Sequence, residues 1–388
     1  MAPSARHSTA AAPSGDSVIR RGTRSLSPMN PVVRGALRIT RQRLRNQWII
    51  RPSLRPEKVV EWFGAVQAQE YGPAKWGLAL RSRRGTTSNS IDRVVDEGRI
   101  VRTHVLRPTW HFVTPADLRW MLELTAPQVH RAMSSYNHQL GLDADIMTRA
   151  AGVIERALGD GGCLTRRELG AELDRAGLPG KSTHLAHLAM YAELEGVICS
   201  GPRRGKQFTY ALLADRAPAA RRLARDEAIA ELTRRHLRSH GPATIRDFVW
   251  WSGLKTADAR RGLQMVRARS HDVGGLTYWT LGGATRFRAS LRNNVQLLPV
   301  YDEYLVAYRD HQAVPRPAYS LGGFQHALVI AGLVAGAWRT IAGPDGVMID
   351  LQPLRRLAAG EKRALDRAVA RYGEFLGVSA TRRPGSSS

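Results

Sequence analysis

Two glutamines one residue apart, Gln67 and Gln69, are the residues whose types and spacing most directly indicate chemistry. An amide is a poor acid and a poor base, so such a pair acts through its dipoles, by holding a water molecule and tolerating positive charge. Cleavage of an already cationic nucleobase from its sugar needs this, because the base leaves unprotonated while the sugar becomes oxocarbenium-like. The plainer alternative is that both amides only cap the end of a helix before a break at Gly72-Pro73.

The charge balance of the 388-residue chain indicates a polyanionic partner. Lys and Arg number 58 against 33 Asp and Glu, a net charge of +25, and all but six of the basic residues are Arg. A GC-rich genome accounts for the preference for Arg over Lys, but not for the excess of base over acid. An excess of this size is typical of nucleic-acid binding. Binding to anionic lipid or to an acidic protein is the less favoured alternative.

Cysteine content and hydropathy exclude several other classes of protein. Cys163 and Cys199 are the only cysteines and form no Cys-x-x-Cys motif, which predicts a reduced chain without structural zinc or an iron–sulfur cluster. No apolar run approaches the roughly 20 residues that span a bilayer, and residues 1–30 lack the apolar core of a signal peptide. We therefore expect a cytoplasmic, nucleoid-associated monomer that needs no metal or organic cofactor and contacts no membrane.

The hydrophobic pattern predicts an α+β, mainly α fold made of three tandem winged-helix units and a C-terminal β-rich subdomain. In each unit, helices preceded by a capping Ser or Thr, such as Thr165 in the second unit and Thr244 in the third, lead into strands, which is the order of a winged helix. After Arg292 the period becomes two, and Gly343-Pro-Asp-Gly346 is a strong turn signal. The predicted regions are a disordered basic arm at 1–35, winged helices at 36–140, 141–218 and 219–290, and the β-rich subdomain at 291–380. Within the arm, Met29 is an alternative translation start.

Basic residues in two predicted hairpins are candidates for DNA contact. Arg203, Arg204 and Lys206 lie in the loop of the second hairpin, where a basic wing would meet phosphate or the minor groove. Arg107 and His111 flank the first hairpin, close to the glutamine pair. They either grip phosphate or the lesion strand, or serve as a polar brace inside the first winged helix.

A third set of candidates follows the strand predicted near residue 295. In one interpretation, Asp302 orients Arg309 toward DNA, with Tyr304 in support. In the other, Asp302 and Arg309 form a purely structural ion pair. In a rival mechanism Asp302 is the general base, a role that suits a carboxylate. Trp250 and Trp251 could stack on DNA, but their position in a predicted helix favours core packing.

The glutamine pair belongs to one of several stretches in which the chain resembles the AlkZ-like winged-helix DNA glycosylases. That family carries a Gln–apolar–Gln motif, with Ala68 here as its apolar centre, and the resemblance implies that Gln67 and Gln69 are catalytic. A sister branch has Asp at the second position, so Gln69 indicates the Gln–Gln branch. The resemblance covers most of residues 36–378, and its most specific stretches are Ala65 to Trp76, Arg102 to Leu124, Leu297 to Asp310 and Gly332 to Arg339.

The resemblance implies a monofunctional DNA glycosylase that acts on double-stranded DNA carrying alkylated purines. Its products would be N7-alkylguanine or N3-alkyladenine and an abasic site, and bulky natural-product adducts or interstrand crosslinks are implied as substrates, with a role in self-resistance. No lysine lies where the motif suggests an imine, so lyase activity is not expected. The alternatives are a non-enzymatic winged-helix transcriptional regulator and an inert protein that shields lesions without turnover.

Overall fold

The computed structural model describes residues 31–159, 161–282, 291, 293–315, 325–343 and 346–383. The basic arm predicted for residues 1–35, like the alternative start at Met29, lies almost entirely outside them. Its last five residues are not an arm, because helix α1 (Pro31–Asn46) already begins there. Pro31 suits the first position of a helix. The Ser-, Ala- and Pro-rich composition of the residues before it led to the prediction of disorder up to residue 35. No helix among the described residues combines the length and the apolar character that a membrane span requires.

The first repeat contains the glutamine pair at the end of an edge strand. Its elements are α2 (Pro56–Phe63), β1 (Ala65–Gln67), α3 (Tyr71–Arg81), α4 (Ser88–Asp96), β2 (Val101–Val105) and β3 (Arg107–Val113). The strands form an antiparallel sheet in the order β1-β3-β2. The helix predicted to end at the glutamines ends earlier, at Phe63, because Gly64 adopts a φ of 89°. The break predicted at Gly72-Pro73 is also wrong, since both residues lie in the first turn of α3, where a missing N–H costs nothing.

The second repeat follows a long connecting helix. The elements are the connecting helix α5 (Pro115–Gln139), then α6 (Ala144–Ala157), β4 (Leu164–Thr165), α7 (Arg166–Arg175), α8 (Ser182–Leu194), β5 (Ile198–Ser200) and β6 (Thr209–Leu212). The sheet order is β4-β6-β5. Thr165 caps α7 as predicted, accepting the N–H of Glu168, whose carboxylate accepts the N–H of Thr165 in return.

The third repeat has the same order of elements. After the short α9 (Leu213–Arg216) come α10 (Arg225–His240), α11 (Ile245–Ser252), α12 (Thr256–Met265), β7 (Arg269–Val273) and β8 (Leu276–Thr280). A single bridge between Ala243 and Trp279 takes the place of the first strand. Thr244 caps α11 as predicted, with Asp247 as its partner. The order of a helix, a short strand or single bridge, two helices and a hairpin therefore recurs three times between residues 56 and 280.

The C-terminal region is a five-stranded sheet with one short helix and one long helix. Its elements are β9 (Val295–Leu298), α13 (Glu303–Val306), β10 (His326–Ile330), β11 (Leu333–Gly343), β12 (Gly346–Pro353), α14 (Ala359–Leu376) and β13 (Ser379–Arg382). The order is β13-β12-β11-β10-β9. The predicted strand period is present, and Gly343 pairs with Gly346 where the turn was predicted. The two central residues of that turn lie outside the described ones. Two elements of this region were not predicted, the short helix α13 and the strand β13, which is parallel to β12.

The sheet of the first repeat lies between two hydrophobic cores. Val66 and Phe112 belong to a core shared with the C-terminal sheet, which includes Leu297 and Trp338. Ala65 and its neighbours on β2 and β3 belong to a second core, shared with α5 and the third repeat. Because successive strand residues point to opposite faces, Gln67 lies on the face that meets the third repeat.

Candidate active site

Gln67 is held at both its backbone and its side chain. Only 7% of the residue is exposed. Its backbone N–H, on the side of β1 away from β3, donates to Glu303 Oε1 at 2.7 Å. Its side-chain oxygen accepts from Arg107 Nη2 at 3.0 Å. Because a guanidinium can only donate, the amide oxygen and not the nitrogen must face it.

The side-chain amide of Gln69 is also oriented by a hydrogen-bond donor that faces its oxygen. Its side-chain oxygen accepts the backbone N–H of Trp110 at 3.3 Å. The Arg102 guanidinium donates to the carbonyl oxygens of Ala68 and Gln69 at 2.9 and 3.1 Å, and lies 4.3 Å from the centre of the Trp110 ring. The backbone between the two glutamines is therefore fixed by Arg102.

Both amide oxygens retain bonding capacity. A carbonyl oxygen has two lone pairs, so the oxygens of Gln67 and Gln69 can each accept a further hydrogen bond from a water molecule. Neither amide caps a helix: α2 ends through the backbone N–H of Gly64, and no side chain caps the start of α3. The capping alternative is therefore wrong.

Glu303, which the sequence analysis passed over, lies directly behind the motif. Its buried carboxylate accepts three N–H groups, from Gln67, His240 Nε2 at 2.9 Å and Trp251 Nε1 at 3.1 Å. Burial alone raises the pKa of this carboxyl, but the hydrogen bonds from His240 and the Gln67 N–H, with the charge of Arg107, lower it to about 2. Its only sequence signal was its position between two residues already singled out.

Asp302 pairs with Arg81 and not with Arg309. Its two oxygens accept from the two terminal nitrogens of Arg81 at 2.8 and 2.7 Å, and both side chains are almost fully buried. The oxygen of the shorter contact also accepts the N–H of Tyr304, which caps α13. Both sequence interpretations that joined Asp302 to Arg309 are wrong. A carboxylate occupied in this way also lacks the free, accessible oxygen that the general-base alternative requires.

Tyr304 belongs to the core. Its hydroxyl donates to the carbonyl oxygen of Gly332 at 2.7 Å, and the side chain is almost completely buried. Burial raises the pKa of this phenol above its usual value. Tyr304 therefore supports the fold behind the motif rather than contacting a substrate.

Arg309 lies on the surface next to Trp250. Its backbone N–H donates to Asp247 at 2.9 Å, and its guanidinium carbon is 5.4 Å from the centre of the Trp250 ring. Trp251 is fully buried, as predicted, whereas Trp250 is 43% exposed and not part of the core. Arg107 is 5.9 Å from the same ring. Arg107, Trp250 and Arg309 thus lie together beside Gln67.

The arginines of the second hairpin loop are already paired within the chain. Arg203 contacts Asp96 at 2.8 Å and Asp92 at 3.1 Å, and Arg204 contacts Glu168 at 2.7 Å. Lys206 is exposed, and none of the described carboxylates forms an ion pair with it. Of the three residues, Lys206 is therefore the one immediately available to a phosphate group.

His111 cannot contact DNA in this structure, because its ring is fully buried. Neither ring nitrogen has a hydrogen-bond partner among the described residues. Burial, and secondarily the positive charge of Arg107, lower its pKa to about 3. The imidazole is consequently neutral at physiological pH, and the predicted DNA contact is wrong.

Buried neutral histidines predict sensitivity to acid. The pKa of His111 is lowered to about 3 and that of His236 well below its ordinary value, in both cases chiefly by burial. The unfolded chain binds protons near pH 6.5, while the folded chain does not, so lowering the pH favours unfolding. Each imidazole is expected to lower the free energy of unfolding by about 1.4 kcal/mol per pH unit below about pH 6.5.

Urea unfolding at pH 7.5, 6.0 and 5.0 measures this dependence. In His111→Leu, the loss of stability per pH unit should be smaller than in the wild type by about 1.4 kcal/mol. Glu303 does not interfere with this measurement, because the stability that its lowered pKa contributes is lost only as the pH falls from about 4.5 toward 2. An identical pH dependence in the two proteins would show that His111 is protonated in the folded chain.

Comparisons with known proteins agree with this architecture. The model of a family described as DNA glycosylase AlkZ-like matches residues 60–375. An interstrand DNA cross-link repair glycosylase of Streptomyces sahachiroi is 26% identical over 346 residues, covering 81% of this chain and 89% of that protein. The solved structure of Streptomyces sahachiroi DNA glycosylase AlkZ superposes with a TM-score of 0.73 at 23% identity, covering 89% of this chain and 98% of that one. At that identity the structural likeness concerns the fold.

Proposed function

The chain belongs to the AlkZ-like DNA glycosylase family, and from that premise we propose which bond this DNA glycosylase cleaves and how. The substrate is an N7-alkylguanine, or an N3-alkyladenine, in double-stranded DNA, and the products are the free base and an abasic site. The observation that carries the proposal is the pair of amide oxygens of Gln67 and Gln69, each oriented by an obligate donor.

The titratable groups nearest Gln67 support a cationic substrate. Glu303 is ionised, with a pKa of about 2, and His111 is neutral, with a pKa of about 3. Neither can donate a proton to a leaving base near neutral pH. A purine alkylated at N7 or N3 already carries the positive charge that makes it a leaving group, so it departs without a general acid.

In the proposed mechanism, Gln67 and Gln69 hold a water molecule on the sugar side of the lesion. Their oxygens accept its hydrogen bonds and direct negative dipole ends toward the charge that develops at C1′. The water oxygen attacks C1′ and forms the new C–O bond while the C–N bond breaks, and the electron pair of the C–N bond neutralises the cationic base. The attacking water then releases one proton to bulk solvent and becomes the hydroxyl group of the abasic site. Glu303 and Arg102 hold the backbone of the motif in place.

The remaining features of the proposal concern DNA. We take the three repeats to be tandem winged helices that bind the duplex as a monomer, with Arg107, Arg309 and Lys206 available for phosphate. Arg203 and Arg204 could contact phosphate only if their ion pairs with Asp96 and Glu168 were broken. The relative described as an interstrand DNA cross-link repair glycosylase supports bulky adducts and crosslinks as substrates, and with them a role in self-resistance.

A duplex with one N7-methylguanine tests the reaction. We expect the wild type to produce an abasic site at that position, seen as strand scission only after mild alkali. Borohydride should trap no covalent complex, since the proposal contains no imine. A matched duplex with 7-deaza-7-methylguanine carries the same methyl group without the charge and should remain intact. Cleavage of both duplexes would refute the requirement for a cationic base, and a sequence-specific footprint without cleavage would favour the transcriptional regulator.

A further inference from the structure

Trp250 is an exposed indole held in a fixed position beside the motif. It lies in α11, where Phe248 and Trp251 are buried, yet 43% of it is exposed. Its Nε1 donates to the carbonyl oxygen of Val306 at 2.8 Å. One edge of the ring is thereby anchored to the loop that leads to Arg309, while part of the ring remains accessible.

Two guanidiniums flank this ring, and neither is paired with a carboxylate in the described part of the chain. The guanidinium carbons of Arg107 and Arg309 are 5.9 and 5.4 Å from its centre. None of the described carboxylates forms an ion pair with either arginine, in contrast to Arg203 and Arg204. Arg107 also donates to the side-chain oxygen of Gln67, which places the ring next to the reaction centre.

The charge of this surface decides what it can bind. An indole alone would attract a cationic alkylated base, but two adjacent positive charges repel one. The same two charges attract phosphate, and an aromatic face stacks on any neutral base. The face of the Trp250 ring therefore suits a neutral, undamaged base with its phosphates better than a cationic base.

We propose that Trp250, Arg107 and Arg309 form a subsite for an undamaged nucleotide adjacent to the lesion. Its base stacks on the indole of Trp250, and its phosphates bind the two guanidiniums. The inference rests on the proposed function only in taking DNA as the substrate. It implies that Trp250 contributes to affinity for damaged and undamaged DNA alike.

The subsite is tested by fluorescence anisotropy of a labelled, undamaged duplex at several salt concentrations. Trp250→Ala should weaken binding by about 5- to 150-fold, the range for loss of one base stack, with an unchanged salt dependence. Arg309→Ala should reduce the slope of log affinity against log salt by about 1, as expected for one lost phosphate contact. Tyr136→Ala is the matched control, because Tyr136 is an aromatic residue 60% exposed on α5, and its affinity should equal that of the wild type.

Three outcomes would overturn the proposal. The first is wild-type affinity in Trp250→Ala, and the second is an equal loss in Tyr136→Ala. The third is a loss confined to the N7-methylguanine duplex, which would mean that the indole binds the lesion. Thermal unfolding of each variant confirms that it is folded. Since binding to undamaged DNA requires no catalysis, a wild type that fails to excise any base would refute the proposed function and leave this test intact.

Discussion

Replacing both Gln67 and Gln69 with alanine is expected to lower the rate of N7-methylguanine release at least about 10³-fold. Each oriented dipole that stabilises a transition state is worth roughly 10²–10³ in rate, and no other described side chain at the motif can take over the water. The measurement is a single-turnover time course with enzyme in excess over a duplex that carries one lesion. Spontaneous loss of the base, measured without enzyme, sets the lower limit.

The single variants separate the two amides. Gln69→Ala removes only an acceptor of the Trp110 N–H, whereas Gln67→Ala also releases Arg107 from its partner. Gln69→Asp is the informative conservative change, because it introduces the carboxylate of the sister branch. The Gln69→Asp variant should retain activity, but its rate should fall at acidic pH as the new carboxylate is protonated. The wild type should show no such fall, because its amides do not titrate. A double alanine variant that is folded, binds DNA and keeps its rate within tenfold would refute the catalytic role.

Removing either partner of the buried Arg81–Asp302 pair is expected to lower the free energy of unfolding by about 3–5 kcal/mol. The two side chains make two hydrogen bonds to each other, and Arg81 also donates to Gln47 at 2.9 Å. Asp302→Asn leaves the guanidinium of Arg81 uncompensated, and Arg81→Met does the same to the carboxylate. Urea unfolding at pH 7.5 measures both losses.

The double variant Arg81→Met/Asp302→Leu is the control for this prediction. It removes both charges together, so it should be more stable than the sum of the single losses predicts. The specific rate of the folded protein should change little in Asp302→Asn, because Asp302 holds no substrate. An Asp302→Asn variant as stable as the wild type yet inactive would instead restore the carboxylate as a catalytic base.

Local signals were sufficient to predict much of the fold. Thr165 and Thr244 cap their helices because a hydroxyl three residues before an acidic partner satisfies the first free N–H groups. The period of two after Arg292 predicted the C-terminal strands. The glutamine pair was identified from residue type, spacing and family resemblance. Its strand was not, since three residues of β1 are too few to show alternation between faces.

Contacts between distant parts of the chain explain what the sequence could not predict. Glu303 reaches the N–H of Gln67 across 236 residues. Asp302 has Arg81 as its partner instead of the nearby Arg309, and the basic loop of Arg203 and Arg204 is neutralised by carboxylates from other elements. Such pairings depend on the tertiary arrangement of the repeats, and no local pattern encodes them.

The identity of the base released from a single-lesion duplex tests the central claim most directly. Wild type and Gln67→Ala/Gln69→Ala are compared at equal, saturating concentrations of folded enzyme, with free N7-methylguanine quantified by mass spectrometry. The account predicts release by the wild type and only the spontaneous rate with the double variant, at comparable DNA affinity. Equal release by both proteins would contradict it, and would show that the bond is cleaved without the two amides.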